Sequence, residues 1–418
     1  GYGSWGPLDG WRRPKPEYWH VKKAYSPVRI SGDSVKTPIV IRVENRYDFT
    51  NLSEVPCEWE IGEEKGTASC DAPPHSTGEI RIAPAQNELE GKILKLAFRD
   101  PRGFVCDEYS LRIGDAPRDV VEASTPSNSL EAKESAEAYS ISGDGIEWNI
   151  ARGSGRITSA ARDGAQIVIG GPELMLLPML GGSCATEHSA DIAPFNDTCT
   201  QWNARKVSVY SKDGAREVRV EGSYAEADGS YTLRFFDKGV VEVSYRYEVK
   251  AKTDPRQIGM VVTLPRAFDV LRWRRHAQWN AYPHDHIGRP EGAVKARAAA
   301  APEKEDLRTE PALSWAFDES PLGSNEFRSS KEHILYAGLS DTNRDQLRVD
   351  SDGRHTIRAW LDGDSVKLLV AFYSNGGGEP FVSSHFESER MPLKAGDVIE
   401  DSFRLQLTHL EKKKPEDR

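Results

Sequence analysis

Long apolar runs are missing from this sequence. The longest apolar stretches, such as Leu174–Leu177, are broken by proline or glycine. They fall far short of the roughly 20 residues a spanning helix needs, so no membrane-crossing helix is expected. Cysteine is scarce: Cys57, Cys70, Cys106, Cys184 and Cys199 are the five in 418 residues. That is too few and too scattered for a disulfide framework, although Cys57 with Cys70, or Cys184 with Cys199, could pair. Positive charge is outnumbered, with 55 Lys+Arg against 65 Asp+Glu for a net charge of -10. Such a chain repels phosphate backbones and anionic bilayers alike, so neither nucleic acid nor a membrane surface is expected as a partner. Catalytic motifs are absent too: no G-x-x-x-x-G-K phosphate loop, no H-E-x-x-H zinc helix, no G-x-S-x-G elbow and no paired C-x-x-C knuckles. Gly376-Gly377-Gly378 has no strand-to-helix context and reads as a flexible turn. The chain opens at Gly1 with neither Met nor a leader-like segment, which leads us to expect a removed upstream portion and leaves the compartment open.

What is present suits a globular protein with real cores: 38% hydrophobic and 29% charged residues, and a mean hydropathy of -0.59. At roughly 150 residues per domain the length points to two or three domains. Residues 1–29 hold three tryptophans, Trp5, Trp11 and Trp19, and then Arg13-Pro14-Lys15-Pro16-Glu17 leads into Tyr18, Val21 and Tyr25. Those three are spaced for one apolar helix face with proline at its start. A helix this short is marginal alone in water, so it has to pack on something, and the expected something is the upstream portion.

From about residue 30 the period changes to two. Ile39, Ile41 and Val43 alternate with Val40, Arg42 and Glu44, and Leu94, Leu96 and Phe98 alternate with Lys95 and Arg99, as half-buried strands do. With turns at Asn45-Arg46-Tyr47, Pro73-Pro74 and Asp100-Pro101-Arg102-Gly103, residues 30–114 have the size of an immunoglobulin-like sandwich. Residues 115–137 are polar and aperiodic and read as a linker.

Residues 138–410 read as one large antiparallel β-sandwich. Val207/Val209 and Val218/Val220 flank Asp213-Gly214, Tyr231/Leu233/Phe235 and Val241–Val249 flank Asp237-Lys238-Gly239, and Ile357/Ala359 and Val366–Phe372 flank Asp362-Gly363. The only helical hint there is the alanine-rich Ala296–Ala301, which Pro302 would stop. The end, His409–Arg418, is charged and expected to fray, with 411–418 as a tail.

The densest polar-aromatic cluster is Trp273–Arg289, and three readings stand for it. Tryptophan faces could meet sugar C–H groups while Asn280, His284, Asp285, His286 and Arg289 hydrogen-bond hydroxyls. His284, Asp285 and His286 could ligate a metal, although Pro283 and Gly288 argue for a loop rather than a regular strand. Or the segment is a structural corner, with Trp279 and Tyr282 buried and Asp285 capping a turn or pairing with Arg289. The loop Gly376–Phe386, bearing Glu379, Phe381, His385 and Phe386, could reach into a neighbouring cleft or close the core.

Four stretches carry a resemblance: GYGSWGPLDGWRRPKPEYWHVKKAYSPV, TPIVIRVENRYDFTNL, WRRHAQWNAYPHDHIGRPEG and SNEFRSSKEHILYAGLSD. In this order the chain resembles the C-terminal part of a glycoside hydrolase family 2 enzyme of the β-galactosidase type. The resemblance implies a mainly β fold: the last loop and helix of a (β/α)8 barrel in 1–29, then an immunoglobulin-like β-sandwich, then a large sandwich. It implies hydrolysis of terminal β-glycosides with retention by two glutamates, both expected upstream of Gly1, so no catalytic residue is expected in this chain. The chain would buttress the barrel and lend residues to the sugar subsite. By position Phe381 matches the aromatic that the family's large sandwich contributes, with Phe where Trp is expected, and Trp5 is the second stacking candidate. His284, Asp285 and Arg289 complete the sugar-facing set. The partners implied are the upstream barrel and a β-galactoside or related oligosaccharide; a homo-oligomer stays open. No cofactor is required and no metal ligand is assigned, and a structural or activating cation is not indicated. The rival reading is an autonomous carbohydrate-binding or structural tandem β-sandwich with no chemistry.

Overall fold

Alternation of buried and exposed side chains along extended segments organises almost everything in the computed structural model. It describes residues 6–8, 12, 14, 16–32, 34–114, 130–178, 197–212, 215–277, 288–296, 330–374 and 390–411. The smaller of two compact units holds one helix, α1 (Pro16–Ala24), and eight strands. These are β1 (Val28–Arg29), β2 (Ser34–Val35), β3 (Ile39–Asn45), β4 (Cys57–Ile61), β5 (Glu64–Ala68), β6 (Thr77–Ile82), β7 (Ile93–Arg99) and β8 (Val105–Ile113). They form a three-stranded sheet in the order β1-β3-β6 and a five-stranded sheet in the order β2-β8-β7-β4-β5, with β2 on β8 the parallel pair. The alternation expected for β3 and β7 is observed: Ile39, Ile41, Val43, Leu94, Leu96 and Phe98 are buried in one core while Arg42, Glu44 and Lys95 face out.

The helix departs from expectation. Proline stands at its first position as foreseen, but Val21 is exposed and Tyr25, just past its end, is 83% exposed. The side chain that buries is Lys23, whose ammonium pairs with Asp107 and donates to the Glu108 carbonyl oxygen at 2.7 Å. It also sits 3.5 Å from the centre of the Tyr109 ring. Ser26 adds a hydrogen bond to Asp107, and Arg46 donates to the Ala24 carbonyl oxygen at 2.9 Å, capping the helix end. Apolar spacing missed this because the fastening is ionic. Among the described residues α1 is the one α-helix, and they contain no (β/α)8 barrel.

The larger unit holds the remaining strands. Strands β9 (Glu131–Glu134), β10 (Ala138–Gly143), β11 (Ile146–Ala151), β12 (Ile157–Arg162) and β13 (Ala165–Val168) make a five-stranded meander. After them come β14 (Gly170–Pro178), β15 (Asn203–Lys212), β16 (Ala215–Ser223), β17 (Ala227–Phe235), β18 (Val240–Val249) and β19 (Pro255–Pro265). The last are β20 (Val270–Arg275), β21 (Glu291–Lys295), β22 (Ile334–Ser340), β23 (Asp345–Asp350), β24 (Thr356–Asp362), β25 (Ser365–Ser374) and β26 (Val398–His409). A nine-stranded sheet runs β15-β16-β17-β18-β26-β23-β22-β20-β21 and a four-stranded sheet runs β14-β19-β25-β24.

All three foreseen hairpins are present in register. Val209 faces Val218, Phe235 faces Val241, and Asp362 faces Ser365 across a turn whose Gly363 has φ +54°. Val241, Val243, Tyr245, Tyr247 and Val249 are buried in one large core with Trp273, Leu339 and Leu405. Burying each such side chain contributes roughly 1.5–3 kcal/mol relative to leaving it in water.

Other expectations meet the structure unevenly. The end of the stretch read as linker forms β9, whose four residues are all exposed, so no alternation marks it in the sequence. His409 is not part of a frayed tail: it closes β26 opposite Asp345, with Nδ1 at 2.9 Å from the Asp345 carboxylate. Cys57 and Cys70 are unpaired thiols, both buried, and burial pushes the Cys57 thiol up to about 12. Cys199 is also a buried free thiol, while Cys184 lies outside the described residues. Ala296 follows β21 without helical structure, and the rest of that alanine-rich stretch lies outside the described residues.

Candidate functional site

A five-residue turn builds a buried polar cluster in the larger unit. β23 ends at Asp350 and β24 begins at Thr356, so Ser351–His355 must reverse the chain. Gly353 takes φ +98°, where an added Cβ would come within 2.9 Å of the His276 ring, so glycine answers both the conformation and the space. The turn is pinned to the start of β22 by backbone bonds from Ser351 to Leu335 and Gly353 to Ile334, each 3.0 Å, and from Ile334 to His355 at 3.1 Å.

This holds the His355 side chain, 1% exposed, between two partners. Its Nε2 lies 2.9 Å from Oδ2 of Asp401 on β26, and its Nδ1 lies 2.7 Å from Oγ of Ser351. A carboxylate can only accept, so Nε2 carries the ring proton; in the neutral ring Nδ1 then offers a lone pair to the Ser351 hydroxyl. The ring is steadied by an edge contact with Phe403, centroids 6.3 Å apart.

Asp401 is itself held in place. Its side chain is 5% exposed, and Arg354, which donates to the Ser402 carbonyl oxygen at 2.7 Å, lies 3.9 Å from its Oδ1. Tyr245 stands opposite Asp401 in the β18–β26 register; burial first, and the Asp401 charge second, push its phenol well above the ordinary value. The cluster opens on a cavity of about 330 Å³ lined by Ser351, His355, Arg354, Arg404, Glu242 and Asp350, among others. That is the small end of the range for ligand pockets, roughly 300–1,000 Å³. Chemically, the arrangement polarises a serine O–H toward a buried base at a cavity wall.

No catalytic motif announces this cluster. Ser351 and His355 are four residues apart, Asp401 is 46 further on, and no motif joins them. The available signal was Asp352-Gly353 between the alternating residues of β23 and β24, a turn dipeptide that places chemistry-bearing neighbours on both flanks. Of the residues expected to face sugar, Trp5, His284, Asp285 and Phe381 lie outside the described residues. Arg289 is half-buried in the turn before β21 and has a partner. Among the described residues, no group of three or more His, Cys, Asp or Glu side chains is placed to hold a metal ion, and no helix is long and apolar enough to cross a membrane.

Two sandwich-forming units with, among the described residues, one short α-helix define a mainly β protein. Residues 41–113, the bulk of the smaller unit from β3 to β8, match the family described as β-galactosidase, domain 4. The match supports a β-galactosidase-like C-terminal portion of the glycoside hydrolase family 2 type, as the four quoted stretches implied. No curated protein matches the chain at a significant level.

Solved structures similar to it include a galactose mutarotase related enzyme from Lactobacillus acidophilus, 9% identical over 65% of this chain and 97% of that one, TM-score 0.33. A galactose mutarotase-like protein from Lactobacillus casei is 12% identical over 67% of this chain and 100% of that one, TM-score 0.35. Heparan sulfate lyase HepC from Pedobacter heparinus is 9% identical over 72% of this chain and 38% of that one, TM-score 0.32. Scores this low establish neither a shared fold nor a shared activity.

Proposed function

We propose that this chain is the non-catalytic C-terminal part of a retaining exo-β-glycosidase, a β-galactosidase by first choice. It buttresses a catalytic (β/α)8 barrel and lends loop residues to the sugar subsite. The observation that carries this reading is the β-galactosidase domain 4 match over residues 41–113. Supporting it, α1 stands directly before that domain, fastened to it through Lys23 while Val21 and Tyr25 remain exposed. A helix held at one side and bare on another suits the closing helix of a barrel. On this reading the acid and nucleophile glutamates belong to the barrel, and Trp5, Phe381, His284, Asp285 and Arg289 face the sugar.

The reading is tested by Phe381→Ala in the complete enzyme. Losing an aromatic face worth about 0.5–1.5 kcal/mol lowers kcat/KM roughly 2- to 13-fold. Unchanged kinetics with a lowered melting temperature would make Phe381 a packing residue instead.

One observation favours the alternative, an autonomous carbohydrate-binding or structural tandem sandwich. The buried Lys23–Asp107 pair satisfies α1 within the smaller unit, so the helix does not depend on a barrel to stay folded. Binding of galactosides by the isolated chain, without dependence on the upstream segment, would support that alternative.

A further inference from the structure

We propose that Ser351, His355 and Asp401 form an acyl-transfer site that cleaves small carboxylic esters with polar alcohol groups. The proposal is independent of the glycosidase reading. Its base is the juxtaposition already described: Ser351 Oγ at 2.7 Å from His355 Nδ1, and His355 Nε2 at 2.9 Å from the Asp401 carboxylate. Serine activation needs this order of roles, a hydroxyl on a neutral imidazole whose other nitrogen is held by a carboxylate, and it is recognised by geometry rather than sequence position. Here the ring is turned round relative to the usual arrangement, with serine on Nδ1 and the acid on Nε2.

The same three groups could serve only to staple the turn to β26, but two features go beyond a staple. Ser351 is half-buried and, with His355, lines the cavity of about 330 Å³, whereas the Asp401 side chain is 5% exposed. That cavity is also lined by Arg354 and Arg404, which bring positive charge to the wall where an oxyanion would develop. Arg404 is paired with Glu242 at 3.7 Å. Glu242, Asp350 and Asp352 stand beside the arginines at the cavity wall and can meet alcohol hydroxyls, and the small volume selects a short acyl group rather than a lipid tail.

In the first step Ser351 Oγ forms a bond to the ester carbonyl carbon as its proton passes to His355 Nδ1. The carbon–alkoxy bond then breaks and the alcohol leaves with that proton, giving an acyl-serine. Water then attacks the acyl carbon while His355 takes a proton from it. The bond to Oγ breaks, the carboxylic acid departs, and the proton returns to Ser351. Asp401 holds the ring and the charge it transiently carries, so it acts as a positioning residue.

The test uses the full chain with a fluorophosphonate probe and, separately, p-nitrophenyl acetate. Labelled protein is digested and the modified residue located by mass. Modification at Ser351 is expected, abolished in Ser351→Ala, and slowed about 100-fold or more in Asp401→Asn. Acetate ester turnover should fall in parallel. Melting curves of Ser351→Ala matching the parent establish that the loss is chemical. Wild-type protein with Ser351 unmodified, or ester turnover unaltered in Ser351→Ala, would overturn the proposal, and neither result depends on any variant folding poorly.

Discussion

Two buried polar clusters, one in each unit, use similar groups to opposite ends. In the smaller unit Lys23 and Ser26 both meet the Asp107 carboxylate, and Lys23 also sits over the Tyr109 ring. Burial lowers the Lys23 ammonium below its ordinary value, with the Asp107 charge opposing that shift. In the larger unit His355 and Asp401 are as deeply buried, yet the third member, Ser351, opens on a cavity. Burial of charge therefore does not by itself mark a site. What separates fastening from chemistry is whether one polar atom of the cluster faces space that a molecule can occupy.

Removing one partner of the fastening has the largest expected effect. Asp107→Ala leaves Lys23 without its countercharge and should cost the smaller unit about 3–5 kcal/mol, read from urea unfolding. A loss under about 1 kcal/mol would show that the pair does not hold α1.

Next in size is Asp401→Ala, which strands the His355 Nε2 proton and should cost about 1–3 kcal/mol in the larger unit.

A third acid gives a pH signature. The Arg102 guanidinium, followed by the Arg102 backbone N–H and the Tyr47 hydroxyl, holds the Asp100 carboxyl well below its ordinary value of 3.8, with burial opposing. A depressed folded value means this stabilisation is whole above the unfolded value and is lost as pH falls below it. The smaller unit should therefore weaken on acidification below pH 3.8, and Asp100→Asn should flatten that part of the curve, as followed by circular dichroism. An identical acid profile in the variant would remove Asp100 from the account.

The smallest effect belongs to Ser351→Ala, expected to shift stability by less than about 1 kcal/mol because water in the cavity can replace the hydroxyl. A cost equal to that of Asp401→Ala would reduce the cluster to a second fastening.

Much of the fold was legible because strands announce themselves by period two. The hairpins at Val209/Val218, Phe235/Val241 and Asp362/Ser365 each have an apolar face and a turn dipeptide, and local chemistry alone places them. β9 escaped because an edge strand with both faces in water shows no alternation. The helix was found but misoriented, since hydrophobic spacing cannot foresee that a lysine would be the buried residue. The Ser351–His355–Asp401 cluster escaped entirely. Its members meet because β26 pairs with β23, next to the turn that carries Ser351 and His355, a long-range register that no local window contains.

The proposed glycosidase role is tested most directly by aryl β-galactoside hydrolysis, measured on this chain alone and on the same chain joined to the coding segment that precedes it. The account predicts no turnover by the chain alone and clear turnover once the barrel segment is attached. Galactoside hydrolysis by the isolated chain, or none after joining, would contradict it.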